Sequence, residues 1–295
     1  MSPFAERPSE RLTVLFLAGL LGVALVARPP GWGPCALGLA ALLGLAATVF
    51  RDRKNANWAL LRDFLPVGMV LGCFLLLQPL VAGVNSRRWD GVLAAADARW
   101  FGGLPAAWRG AFGRPTALTD GLYAAYLSFY LLPITVAVLL RWRRGPASFE
   151  RGVFVLLLGF YLSYLGYFLW PAEGPRVPQA LEATRLGGGA FSEASRMFLR
   201  ATERTTLDAF PSGHTAISLL AAWLASRSLP RLSPLLWLWA LAIVFATVYL
   251  SAHYLVDVVA GGLLGILVCL VEPPLARLLG SGWWSRLDSN QRPRA

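Results

Sequence analysis

The chain has 295 residues, 56% of them hydrophobic and 15% charged, with a formal net charge of +11. Soluble domains carry roughly a quarter of charged residues, so an ordinary soluble enzyme is excluded. The positive excess is explained by arginines in loops between apolar segments, and no nucleic-acid role is read from it. Apolar stretches of about 17–25 residues, the length that crosses a bilayer core as a helix, recur along nearly the whole chain. The expected fold is all-α, a polytopic transmembrane helical bundle.

Eight spans are expected, over 12–27, 34–50, 64–82, 117–140, 152–170, 211–228, 234–251 and 254–271. The first follows Arg7 and Arg11 and could pass for a signal peptide. A cut after Ala27 needs a small residue at position 25, where Leu25 stands, so it is read as a retained span. In the 83–116 loop, Trp89, Leu93, Ala96, Trp100 and Phe101 recur at roughly helical spacing among Arg87, Arg88, Asp90, Asp97 and Arg99. That pattern fits a helix lying in the membrane interface, or an ordinary folded loop. Trp32, Trp58, Trp142 and Trp170 fall near span ends, where indole rings anchor at headgroup level. Cys35, Cys73 and Cys269 each sit alone in an apolar run and are read as packing residues. The polar stretch 281–295 is expected to be unstructured.

Charge sets the orientation. The loops before spans one, three and five and after spans six and eight hold sixteen Lys and Arg residues, and the other loops eleven. Ten of those eleven lie in two long loops, 83–116 and 171–210, which carry little orientation signal. Both termini are therefore placed in the cytoplasm and the long loops outside.

The whole chain has two histidines, His214 and His253, each at the outer end of an expected span. His214 closes Pro211-Ser212-Gly213-His214, where Pro suits a first helical turn and the free backbone N–H groups can bind an anion. Taken alone, that match also fits a plain helix start. His253 precedes Asp257 by four residues, which puts both on one helix face. A carboxylate so placed holds the imidazole's tautomer and stabilises its cation, although a purely structural pair fits as well. Asp257 is the one ionisable residue within 254–271 apart from Tyr254, and an acid inside a membrane is costly enough to point to function. The third element is Pro171-Ala172-Glu173-Gly174-Pro175-Arg176 after span five, with Arg176 suited to bidentate phosphate contact. By loop charge, all three segments lie on the outer side, so they can meet in one polar pocket.

The order Arg, Pro-Ser-Gly-His, then His-x-x-x-Asp resembles the phosphatidic acid phosphatase type 2 superfamily over about residues 60–271. The resemblance implies a six-helix catalytic core over 56–275, two added helices over 1–55 and a polar cytoplasmic tail over 276–295. It implies His253 as a nucleophile that forms a phosphohistidine, Asp257 orienting it, and His214 protonating the leaving oxygen. Arg176, Ser212 and the Gly213 N–H are implied to bind phosphate oxygens, with no metal and no cofactor. The implied partners are a lipid phosphate or phospholipid substrate, an acceptor alcohol and the surrounding membrane lipids, at the extracytoplasmic face of the plasma membrane.

The sequence departs from that family's pattern at two cations. Leu169 and Val177 stand where a Lys and a Pro are usual around Arg176, and Ala246-Thr247 where Ser-Arg is usual before His253. Gly174-Pro175-Arg176, and Asp97 followed by Phe101-Gly102 and Pro105, are similar to the branch containing inositol phosphorylceramide synthases. A site with fewer cations suits a monoanionic phosphodiester better than a dianionic monoester, so headgroup transfer is slightly favoured. The alternatives are a phosphatase of lipid phosphate monoesters, of phosphatidic acid or isoprenyl phosphate type, and a non-catalytic lipid-binding or transport protein. Gly261-x-x-x-Gly265 in the last span is read as a helix-packing motif.

Overall fold

The computed structural model describes residues 7–51, 58–113, 115–175, 187–202 and 207–288. Every regular element among them is helical: α1 (Pro8–Ala27), α2 (Trp32–Arg51), α3 (Ala59–Val84), α4 (Asp90–Phe101), α5 (Leu104–Phe112), α6 (Thr116–Leu127), α7 (Leu131–Arg144), α8 (Pro146–Leu169), α9 (Ala190–Thr202), α10 (Gly213–Ser228), α11 (Ser233–Tyr249) and α12 (Leu255–Asp288). A short 3-10 turn, Ser128–Tyr130, joins α6 to α7, making one long span of the two. Among the described residues, six segments are long and apolar enough to cross a membrane. The two remaining expected spans are the 16-residue α10 and the 17-residue α11, which reach about 24–26 Å against a bilayer core of about 30 Å. One end of each meets the polar loops 207–212 and 250–254, in which Asp208, Ser212, Ser251 and His253 are buried.

Helix α8 is the centre of the bundle. In its most apolar window 72% of residues are enclosed, against 28–44% in the other spans. Phe149, Val153, Leu157, Tyr161 and Tyr164, spaced three or four apart and so on one face, pack against α1 and α3, in a cluster that extends to α2. The opposite face, with Phe154, Val155 and Leu158, packs against α7, α10 and α12, in a cluster that extends to α11. Tyr161 donates to Thr13 Oγ1 at 3.1 Å and Tyr164 to the Val70 carbonyl at 3.2 Å, fixing α1 and α3 to the central helix.

Close packing of α10 depends on missing side chains. On α8, Gly152, Gly159 and Gly166 recur every seven residues. A Cβ at Gly159 would lie 2.7 Å from Leu220 Cδ1, and one at Gly166 2.4 Å from Pro211 Cδ. From the other side, a Cβ at Gly261 of α12 would stand 2.4 Å from the Ser212 carbonyl oxygen. Helix α10 is thus seated between two glycine faces, the small-residue packing used by helices in lipid.

At the end of the bundle away from the histidines, loop charges converge. Arg62 binds Glu10 through two nitrogens, at 2.6 and 3.0 Å, while Arg7 and Arg141 share Asp63 at 2.5 and 2.7 Å. Glu150 accepts from both the backbone N–H and the hydroxyl of Ser9, each at 2.8 Å. These residues come from the segments whose arginines the sequence assigned to one side, and the structure gathers them at one end.

One open reading is decided and one expectation changes. The 83–116 segment is helical at Asp90–Phe101 and at Leu104–Phe112, not an ordinary loop. The last helix does not stop near residue 271 but continues through Pro273 and Pro274 to Asp288. Tertiary bonds hold the extension: Arg151 grips Glu272 through two nitrogens at 3.1 Å, and Arg11 reaches the Leu279 carbonyl at 2.5 Å. The expected unstructured tail is therefore helical over 281–288, and 289–295 lies outside the described residues.

Gly261→Ala places its methyl against backbone that cannot swing away, and the expected result is a loss of about 1–3 kcal/mol of stability. Gly262→Ala is the control, since its Cβ meets nothing closer than Leu219 Cδ1 at 4.0 Å. Thermal unfolding of both variants in detergent, followed by tryptophan fluorescence, should show a lowered Tm for the first alone.

Candidate active site

The two histidines meet. After α11 the chain turns back on the Thr247 carbonyl, which accepts the N–H groups of Ala252 and His253 at 2.7 and 3.1 Å. Ser251 takes a left-handed conformation there, φ 58°, and the turn delivers His253 to a place two residues ahead of α12. His253 Nδ1 lies 3.5 Å from Asp257 Oδ2, one turn along. That is longer than a full-strength hydrogen bond. Asp257 Oδ2 also accepts the Tyr254 N–H at 2.9 Å. Asp257 is fully enclosed and His253 is 2% exposed.

His214 approaches from α10. Ser212 is the helix N-cap, and its Oγ accepts both the Thr215 N–H at 3.2 Å and the Thr215 hydroxyl at 3.1 Å. Its own hydroxyl hydrogen is thereby left to donate elsewhere. Two residues on, His214 Nδ1 stands 3.3 Å from His253 Nε2. Its ring stacks on Tyr126, with centroids 4.7 Å apart, and tilts against Phe129 at 4.3 Å. The backbone locks the two helix starts together, because the Ser212 N–H donates to the Asp257 carbonyl at 3.1 Å. A Cβ at Gly213 would press on the Tyr167 hydroxyl at 2.8 Å, so only glycine fits there without displacing it. One tautomer assignment fits the row: His253 accepts at Nε2 from His214 Nδ1–H and carries its own proton on Nδ1, facing Asp257 at 3.5 Å without a full hydrogen bond.

The third segment arrives through its backbone. The Ala172 carbonyl accepts the Ala209 N–H at 3.0 Å, and the Glu173 and Gly174 N–H groups both donate to Asp90 Oδ1 at 2.9 Å. Gly174 has φ +75°, and a Cβ on it would lie 2.9 Å from Ala209 Cβ and 3.3 Å from the Ala252 carbonyl oxygen. This segment thus touches both histidine-bearing loops. Arg176, the sequence's phosphate-binding candidate, lies outside the described residues, two positions beyond Gly174.

Of the sequence candidates, His253, His214, Asp257, Ser212 and Gly213 are brought together. Asp90, Tyr126 and Phe129 were not singled out as site residues. Asp90 had a weak signal, a carboxylate seven residues before Asp97 on one helix, whereas nothing in a span's apolar pattern marks which aromatic rings will face a histidine. Tyr254, just ahead of α12, is held protonated: burial first, and then the carboxylates of Asp90, Asp257 and Asp97, push its phenol above the usual range. Leu169 is 58% exposed, and Thr247 is fully buried with its hydroxyl turned back to the Val244 carbonyl at 2.7 Å.

Fold and site define a helical membrane protein with a pair of histidines, His253 buried and His214 half-buried, backed by a carboxylate. The family model of the PAP2 superfamily matches residues 92–271, well over half of the chain. The chain belongs to that superfamily, a family of lipid phosphatases and phosphotransferases. No curated protein and no solved structure matches it.

Proposed function

We propose that the protein transfers or hydrolyses lipid phosphoesters through a phosphohistidine, with headgroup transfer from a phosphodiester slightly favoured. The observation that carries the reading is the 3.3 Å approach of His214 Nδ1 to His253 Nε2, with Asp257 on the far side of the His253 ring. One imidazole has a lone pair, and the other has a proton to give at the same point.

In the first step His253 Nε2 attacks phosphorus and the bond from phosphorus to the leaving oxygen breaks. His214, entering the step as the imidazolium, gives that oxygen its Nδ1 proton and becomes neutral, so the product leaves as a neutral alcohol. Asp257 stabilises the positive charge that builds on the His253 ring. In the second step an alcohol or water oxygen attacks phosphorus, its proton passes to His214, and the phosphorus–nitrogen bond breaks. Covalent catalysis divides one hard displacement into two. The nonbridging oxygens gain donors from Ser212 Oγ–H, the Gly213 N–H, which has no acceptor within its own helix, and Arg176. Preorganised donors of this kind stabilise the charge spread over the equatorial oxygens.

The catalytic core is proposed to be the six spans within 56–275, with the hairpin of α1 and α2 added in front. The pocket is proposed to face away from the cytoplasm in the plasma membrane, supported by Arg7, Arg62 and Arg141 lying at the opposite end. With Leu169 and Thr247 in place of cations, Arg176 and the α10 N-terminus, worth about half a charge, are left to neutralise the phosphate. A monoanion suits that supply better than a dianion.

Three outcomes are expected. With radiolabelled lipid substrate and an acid-sensitive trap, His253→Ala should form no phosphoenzyme, while His214→Ala should form it about 10²–10⁴-fold more slowly. A labelled phosphoenzyme in His253→Ala would refute the nucleophile assignment. In kcat/KM, a phosphodiester lipid with an acceptor alcohol should exceed phosphatidic acid in the native protein, and Thr247→Arg should shift preference toward the monoester. Efficient hydrolysis of phosphatidic acid with no diester turnover would assign a lipid phosphate phosphatase instead. In intact cells, an impermeant thiol reagent should label a cysteine placed at exposed Met197 and miss one at exposed Trp142. The reverse pattern would invert the topology.

A further inference from the structure

Helix α12, which carries Asp257, begins with half a cap. In a capping box the N-cap side chain accepts an N–H of the first turn, and the carboxylate three residues on returns to the N-cap N–H. Asp257 makes the return bond, to the Tyr254 N–H at 2.9 Å. The N-cap residue is Tyr254, whose long phenol cannot fold back to make the other. Asp97 makes it from a different helix: its Oδ1 accepts the Val256 N–H at 3.0 Å. The same helix α4 is tied at its other end through Asp90, seven residues earlier and therefore on the same face. Between the two carboxylates, Leu93 is buried against Ala172, Ala209 and Val256.

We propose that Asp97 is a positioning residue for the reaction, an N-cap supplied in trans that fixes the Val256–Asp257 backbone and through it the carboxylate behind His253. The inference rests on the reading of His253 as nucleophile and of Asp257 as its orienting base. The backbone at Asp257 is held from two sides, since its carbonyl accepts the Ser212 N–H while Asp97 takes the preceding N–H. With the Asp97 bond removed, one of the two restraints on the turn is lost. The His253–Asp257 separation of 3.5 Å is already at the edge of useful contact, so small displacements are costly to the chemical step. What the position needs is an acceptor oxygen and not a charge. Asparagine therefore replaces Asp97 and alanine does not.

The test uses the full-length protein in detergent with a lipid phosphoester, reading kcat, KM, the rate of phosphoenzyme formation and Tm. Asp97→Ala should lower kcat and phosphoenzyme formation about tenfold, the scale of a lost cap, with KM unchanged, while Asp97→Asn stays within about threefold of native. Val256→Pro removes the donor instead of the acceptor, at a first-turn position where proline is tolerated, and should reproduce the alanine effect if Asp97→Ala does not fold. In an Asp257→Ala background, Asp97→Ala should cost little more. Equal losses in Asp97→Asn and Asp97→Ala, or losses that multiply in full with Asp257→Ala, would overturn the positioning role. Native-like kcat in Asp97→Ala with an active parent would overturn this inference alone. A parent that turns over no phosphoester at all would remove the functional reading and this one with it.

Discussion

The bond from the Ser212 N–H to the Asp257 carbonyl, 3.1 Å long, joins the first turn of α10 to the first turn of α12. Two helix starts rarely pair through their main chains, because side chains on both keep them apart. Here Gly261 removes the obstacle on α12, and Gly166 does so on α8 where Pro211 packs. The consequence is geometric. Once those two turns are pinned, His214 and His253 have little choice but to face each other, and Asp257 lies behind the second ring. The loop 171–175 then closes on Ala209 and Ala252, again through a glycine, Gly174.

Everything else in the bundle holds that junction steady. The central helix α8 carries two apolar faces at once and buries both, so the two-helix addition at the N-terminus and the site-bearing helices share one spine. At the far end, carboxylates buried in pairs with arginines tie α1 and α3 together and bring in α7, while Glu150 of α8 accepts from Ser9 of α1. Burying such pairs gains little net stability over an apolar core, but leaving any member alone would be strongly unfavourable. They therefore fix which loops sit together more than they add to the depth of the fold.

Charge around the histidines is arranged by the backbone. The Thr247 carbonyl holds the turn that carries His253, while the Thr247 side chain folds back on its own helix and contributes no charge. Leu169 points largely outward. Around the histidines the described charged groups are mostly acidic, Asp90, Asp97 and Asp257, and each of them accepts backbone N–H groups. Carboxylates used in this way organise the backbone around the histidines.

The sequence by itself determined the membrane class and the approximate spans, and it singled out the two histidines and Asp257. Those follow from local rules: the run of apolar residues needed to cross lipid, and a four-residue spacing that would set His253 and Asp257 on one helix face, although the structure leaves His253 two residues ahead of α12. The sequence also marked Gly261-x-x-x-Gly265 as a packing motif, though not its partner. Only the tertiary structure decided that Gly261 faces the Ser212 carbonyl, that Tyr126 and Phe129 enclose His214, and that Asp90 and Asp97 hold two site segments from a third helix. It also decided that α12 runs past Pro273 and Pro274. Each of these depends on contacts between residues far apart in the chain, such as Arg151 with Glu272 or Asp97 with Val256. Helical periodicity records which face of a helix is apolar, and carries no information about which neighbour that face will meet.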